Sequence, residues 1–235
     1  MDMHGESGDA CSIGIELCQR FLPGILEKYL LEDIYNSDES GLFFRMLPTR
    51  SLMKELRKGK KTNKLRVTLN FIVNAPGTDI HMDLIGSAAR PRAFGKTMRP
   101  YDSYGIDYYH TKKSWMNAEI FMKIIQRFAN CIRRNKNRNV LLLMDNFSGH
   151  AMPDDKINKI TYDGGFRGFQ YNNVLVLFLP PNVTSVCQPL DQGIIAAFKA
   201  HYRRQHIAWV LQQLKNDVNP KKIKVSIHPL PPEQK

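Results

Sequence analysis

Nowhere in the 235 residues does an apolar run reach the roughly 18 needed to cross a bilayer, and residues 1–12 lack the basic-then-apolar order of a secretory leader. Both absences predict a soluble, unprocessed protein with no membrane partner. Cysteine is scarce as well: four residues, at 11, 18, 131 and 187, with no C-x-x-C and no Cys/His cluster at zinc spacing. That excludes a disulfide scaffold or a structural zinc site and predicts reduced thiols in an intracellular setting. A nucleotide-binding phosphate loop is missing too. The tempting Gly95-Lys96-Thr97 would need glycine at position 90, where the chain has Arg90.

Acidic residues become sparse after the first fifth of the chain. Residues 1–45 hold nine acids and three bases, a net −6, whereas residues 46–235 hold 31 bases and 13 acids, a net +18. An excess of one sign on that scale favours a polyanionic partner, nucleic acid above all, over simple solubility. At 43% apolar residues the chain can still bury a core, which excludes disorder and collagen-like architecture.

Hydrophobic periodicity organises what remains. Segment 13–31 has helical spacing interrupted by Pro23-Gly24, predicting two short helices or one kinked helix. In segment 33–44, DIYNSDESGLFF, Ile34, Asn36 and Asp38 share one face of a strand. Segment 57–64, RKGKKTNK, reads as a basic loop. Residues 65–73 alternate cleanly and predict a half-buried strand; Pro76-Gly77 turns the chain into a third strand, 80–85, antiparallel to the second. Residues 86–110 show no sustained period and predict an extended surface connection.

Ser114 is placed to cap a helix to about Arg134, with Phe121, Ile124, Ile125, Phe128, Cys131 and Ile132 inward. Trp115 and Trp209 fall at helical core spacing, which predicts packing rather than base stacking. Continuous apolar runs at 140–144 and 174–179 predict strands buried on both faces beside parallel neighbours. The polar stretch between them, 153–173, reads as a surface insertion. A last helix is expected from about Asp191 to Leu214, burying Ile194, Phe198 and Tyr202 and showing Lys199, Arg203 and Arg204. The fold class is therefore α/β, a mixed sheet flanked by helices, in one domain over 1–218 with a basic, Pro-rich, disordered tail at 219–235.

Three carboxylates stand out. Asp145 ends the buried run 140–144, at the strand edge where ligands gather in sheets with parallel neighbours, although a cap of the next turn reads equally well. Asp191, in QPLDQG, reads on its own as a helix N-cap, and Asp38, in NSDESG, as a strand or turn residue. Together they occupy a first strand, the end of a central strand and the start of a following helix, positions that a ribonuclease-H-like sheet brings together.

The blocks DIYNSDESGLFF (33–44), VLLLMDNFSGH (140–150) and VLVLFLPPNVTSVCQPLDQGIIAAFKAHYRR (174–204) resemble the signature blocks of pogo/Tigger-type DDE superfamily endonucleases. These are cut-and-paste DNA transposases with domesticated centromere-protein-B-like and jerky-like relatives. The resemblance implies a ribonuclease-H-like fold and a catalytic, metal-binding set of Asp38, Asp145 and Asp191. Asp38 would bridge two Mg²⁺ or Mn²⁺ ions, Asp145 bind one and Asp191 the other. It further implies site support from Asn146 and His150, the latter reading equally well as a structural histidine, a homo-oligomer on DNA and a nuclear location. By position, Gln188 flanks the third acid and is expected to hold its loop, and Lys199, Arg203 and Arg204, on the helix after Asp191, are placed either to meet DNA phosphates or to form a solvated face.

Two departures from the pattern are visible. The second and third acids lie 46 positions apart, longer than usual in such proteins. No helix-turn-helix candidate precedes Asp38, so the chain reads as a catalytic domain without its targeting half, in need of a separate sequence-specific DNA-binding protein. Two other functions stay open: a catalytically silent chromosomal DNA-binding protein on the same fold, and an enzyme acting on RNA–DNA hybrids, which would not need the QPLDQG block.

Overall fold

The computed structural model describes residues 12–46, 64–94, 105–135, 138–146, 159–161, 166–180 and 183–215. Among them an eight-stranded mixed sheet runs through the molecule in the order β4-β3-β2-β1-β5-β8-β7-β6. The chain enters through α1 (Ser12–Leu26), which continues through Pro23 near its end, then lays down β1 (Ile34–Leu42), β2 (Val67–Asn74) and β3 (Ile80–Gly86) as antiparallel neighbours. After β4 (Ile106–His110) and α2 (Ala118–Asn135), β5 (Val140–Met144) returns to the other side of β1 and pairs with it in parallel. β6 (Lys159–Thr161), β7 (Arg167–Tyr171) and β8 (Val174–Phe178) complete the sheet, β8 parallel to β5. The short α3 (Thr184–Cys187) and the long α4 (Ile194–Lys215) follow. No described helix is long and apolar enough to cross a membrane.

Alternation along the strands sorts side chains to two helical layers. Tyr35, Ile72, Ile85, Leu142 and Val176 pack under the stripe Phe121, Ile124, Ile125, Phe128 and Ile132 of α2. On the opposite face, Ile34, Leu141, Leu143, Leu175 and Leu177 cover α1, while Leu69, Phe71 and Leu84 meet the start of α4. β5 and β8 are buried on both faces because helices cover both sides, as their unbroken apolar runs require.

Several local expectations are corrected. β2 is buried on both faces rather than one, because the Thr68 hydroxyl donates to the Ser114 carbonyl (2.7 Å) and the Asn70 amide to Asp83 (2.9 Å) inside the molecule. Residues 106–110 are a strand paired in parallel with β3, not an irregular connection. The stretch 153–173 is not merely a surface insertion: its described parts add β6 and β7 to the sheet and bury Phe166 and Phe169. The cap of α2 is Asn117, whose Oδ1 accepts from the Ile120 N–H (2.9 Å), and not Ser114. In α4, Ile195 takes the buried place assigned to Ile194, which is exposed. Residues 57–63 and the tail 219–235 lie outside the described residues.

Candidate active site

β1 puts Asn36 and Asp38 on the face opposite α2, and both are buried. The parallel register aligns Ser37 with Met144, so β5 delivers Asp145, half-buried, alongside Asp38. The third acid arrives on the turn Pro189–Asp191, a single 3-10 turn stiffened by Pro189. Asp191 is therefore not the N-cap of α4. The chain swings from this turn into the helix at Gly193, whose φ of +105° favours glycine.

A buried amide clamp holds that turn to the sheet. Asn36 Nδ2 donates to the Leu143 carbonyl (3.1 Å) and to Gln188 Oε1 (2.7 Å), while Gln188 Nε2 donates to the Ser37 carbonyl (2.8 Å). The Leu190 N–H closes the set on Asn36 Oδ1 (3.2 Å). Two amide side chains thus tie β1, β5 and the Asp191 turn into one unit, each bond made where no water competes. Gln188 is fully buried in this role. Asn36 was visible in the sequence as a face-mate of Asp38, but nothing there disclosed its partner 152 positions away.

The electrostatics follow from the crowding of acids. Burial pushes the Asp38 carboxyl up to about 8, with the negative charges of Asp191 and then Asp145 adding to it and the Glu39 N–H opposing it. That N–H donates to Asp38 Oδ1 (2.7 Å), whereas the buried Oδ2 has no hydrogen-bond donor. The Asp191 carboxyl stands close enough to share a proton with Asp38, a bond that disappears once both are ionised. Lys199, half-buried on α4, is held below the usual lysine range by burial and by Arg203, while Asp191 and Asp38 pull it upward.

This places most of the anticipated residues. Asp38 feels the charges of Asp191 and Asp145, Lys199 feels those of Asp191 and Asp38, and exposed Arg203 lies one turn further along α4. Exposed Arg204 is turned roughly 140° around the helix from Lys199. Asn146 is exposed directly after Asp145, and His150 lies outside the described residues. Arg66, not singled out from the sequence, is close enough to lower Lys199. Among the described residues, no three His, Cys, Asp or Glu side chains come within joint reach of a single ion.

The profile described as "DDE superfamily endonuclease" matches residues 64–227. The chain belongs to this family. The matched span of the DDE domain includes Asp145 and Asp191, and Asp38 precedes it. Its relatives are of pogo/Tigger type. It is 31% identical over 192 residues to CENP-B homolog protein 2 of Schizosaccharomyces pombe, covering 81% of this chain and 35% of that protein. It is 26% identical over 223 residues to the human Tigger transposable element-derived protein 7, covering 85% and 38%, and 28% identical over 180 residues to the human Jerky protein homolog, covering 73% and 29%. The DDE chain spans about a third of the length of these relatives. A pre-cleavage Mos1 transpososome structure shares the ribonuclease-H-like fold at 15% identity and a TM-score of 0.50, covering 90% of this chain and 55% of that one.

Proposed function

We propose that this DDE domain cuts DNA and transfers strands by divalent-metal-dependent phosphodiester chemistry, with Asp38, Asp145 and Asp191 as its catalytic acids. The observation that carries the reading is the buried Asp38 carboxyl, one oxygen without a donor, set against two other carboxylates. As pure structure such a cluster is unfavourable, since the neighbouring negative charges of Asp191 and Asp145 raise the cost of ionising the buried Asp38. Mg²⁺ or Mn²⁺ fits this donor set: hard oxygens, few of them, with room for waters and a substrate phosphate. Asp38, Asp145 and Asp191 would hold it. When bound, the metal supplies charge neutralisation at phosphorus and a more acidic attacking oxygen, from water or a 3′-hydroxyl.

The chain's own residues account for the rest. The Asn36–Gln188 clamp fixes Asp191 relative to β1, so the acids need little rearrangement when substrate arrives. Lys199, lowered by burial and drawn back toward its charged form by Asp191 and Asp38, is placed to meet a DNA phosphate, with Arg203 and Arg204 extending positive charge along α4. Asn146 and His150, following Asp145, and Gln188 are the supporting residues. The catalytic domain is taken as 1–218 and the basic Pro-rich segment 219–235 as a tail. The site acts in the nucleus, on DNA brought by a sequence-specific partner or by copies of this chain assembled on DNA.

A second reading, a silent chromosomal DNA-binding protein, is favoured by relatives named CENP-B homolog and Major centromere autoantigen B. The two part on one experiment. Incubated with Mn²⁺ and a mixture of random duplexes, the chain is expected to nick them with no sharply preferred sequence; binding without any nick supports the silent reading.

A further inference from the structure

Trp115 breaks the pattern of the residues around it. Its side chain is 53% exposed, while Ser114 and Met116 on either side are 2% and 9% exposed. It is also not part of the helical core its spacing suggested, because α2 begins only at Ala118. The backbone that presents it is locked from several directions. The Thr111 hydroxyl accepts from the Trp115 N–H (2.9 Å) and donates to the Trp115 carbonyl (2.9 Å). Ser114 takes a left-handed φ of 57°, unusual without glycine, and its carbonyl accepts the buried Thr68 hydroxyl (2.7 Å). Backbone strain of this kind persists only where surrounding bonds over-determine it, and it concentrates at functional sites.

Two cations lie over the ring, the Arg66 guanidinium 5.7 Å and the Lys113 ammonium 5.8 Å from its centroid. Arg66 reaches this position past Gly41, where a Cβ would stand 2.7 Å from its Nε. β1, β3, β4 and β5 all run in one direction, so the turn after β4 lies at the sheet edge where β5 delivers Asp145. Arg66 ties the two regions electrically: its charge acts on Lys199, as do those of Asp38 and Asp191. An exposed, rigidly mounted indole with two cations over its ring, at the same edge of the sheet as the acids, combines an aromatic surface with attraction for phosphate.

We propose that Trp115, flanked by Arg66 and Lys113, is a stacking platform for an unpaired nucleobase of the DNA strand processed at the acids. Duplex DNA hides its base faces within the stack, so the ligand is a base at a single-stranded extension or one turned out of the helix. The cations fit the phosphates on either side of that base, and they disfavour a purely apolar protein surface as the occupant. The inference rests on the proposed DNA chemistry.

The test compares two duplexes of equal length, one blunt and one with a three-nucleotide single-stranded extension carrying 2-aminopurine, by anisotropy and 2-aminopurine fluorescence. The unmodified chain is expected to prefer the extended duplex and quench the probe. Trp115→Ala should abolish the quench and weaken binding to the extended duplex by roughly 10-fold, within the span of measured base–aromatic stacking. Binding to the blunt duplex should change less than about twofold. Trp115→Phe, which keeps a π face, should retain most of both signals, and Trp115→Leu, equally apolar without one, should lose them; this pair decides the matter even if the alanine variant folds poorly. Equal losses on both duplexes, or a quench that survives in Trp115→Ala and Trp115→Leu, would overturn the platform while leaving the DNA reading intact. Failure of the unmodified chain to bind either duplex overturns both.

Discussion

Replacing Asp38 by asparagine is expected to stabilise the fold at neutral and alkaline pH. Asp38 is buried, and its folded-state carboxyl is pushed from 3.8 to about 8, chiefly by burial and by Asp191. Between those two values the folded chain binds more protons than the unfolded one, so stability falls as pH rises from about 4 to about 8. Below the lower value the contribution is constant. The ceiling on the loss is about 6 kcal/mol, four pH units at about 1.4 kcal/mol each, and relaxation around the site brings the expected gain for Asp38→Asn at pH 8 to roughly 2 kcal/mol. For a chain of this size that corresponds to a melting temperature higher by roughly 4–8 °C. At about pH 4, at the foot of this window, Asp38 is protonated in the folded chain and nearly isosteric with the amide, and the two proteins should melt within about a degree or two of each other. Urea and thermal unfolding at the two pH values measure this directly. A gap of the same size at both pH values, or a variant less stable at pH 8, would refute the claim that Asp38 is a carboxyl held against repulsion.

Further outcomes follow from other parts of the structure. Gln188→Ala removes a buried side chain that both accepts from Asn36 and donates to the Ser37 carbonyl, so unfolding in urea should show a loss of roughly 2–4 kcal/mol. Arg127 pairs with fully buried Asp83 (2.8 Å) and with Asp107 (2.6 Å); Arg127→Met strands the Asp83 charge and should cost about 3–5 kcal/mol by the same measurement. DNA affinity, carried by the +18 of residues 46–235, should fall at least tenfold between about 50 and 200 mM salt with little dependence on sequence. Flat affinity across that range would refute the phosphate-contact account.

How much of this was readable in advance depends on the range of each interaction. The runs 140–144 and 174–179 announced β5 and β8 because burial on both faces leaves no polar position, and the periodic stripe of α2 is equally local. The polar face of β2 misled because Thr68 and Asn70 look solvent-facing until Ser114 and Asp83 arrive from elsewhere in the chain to bond them. β4 and β7 have too few apolar positions to show a period, and they become strands only when a neighbour offers a paired edge. The three acids stood out in the sequence from the motifs around them and from a first strand, the end of a central strand and the approach to the last helix. The clamp between Asn36 and Gln188 was not, since a hydrogen bond across 152 positions leaves no trace in local spacing. Trp115 was assigned to packing because its spacing continues the pattern of α2, yet the positive φ of Ser114 ends that continuity before the helix begins.

The central claim, that the acids at the edge of this sheet cut DNA, is tested most directly by nicking of supercoiled plasmid in Mn²⁺ by three forms of the chain. The unmodified chain and Glu119→Gln, which removes the same charge from an exposed residue of α2, are expected to convert plasmid to the open circle at similar rates. Asp145→Asn should reduce the rate by at least about 10²-fold, on the order of 2.7 kcal/mol in the barrier, while its circular dichroism spectrum stays unchanged. Equal nicking by Asp145→Asn and the unmodified chain would contradict the account.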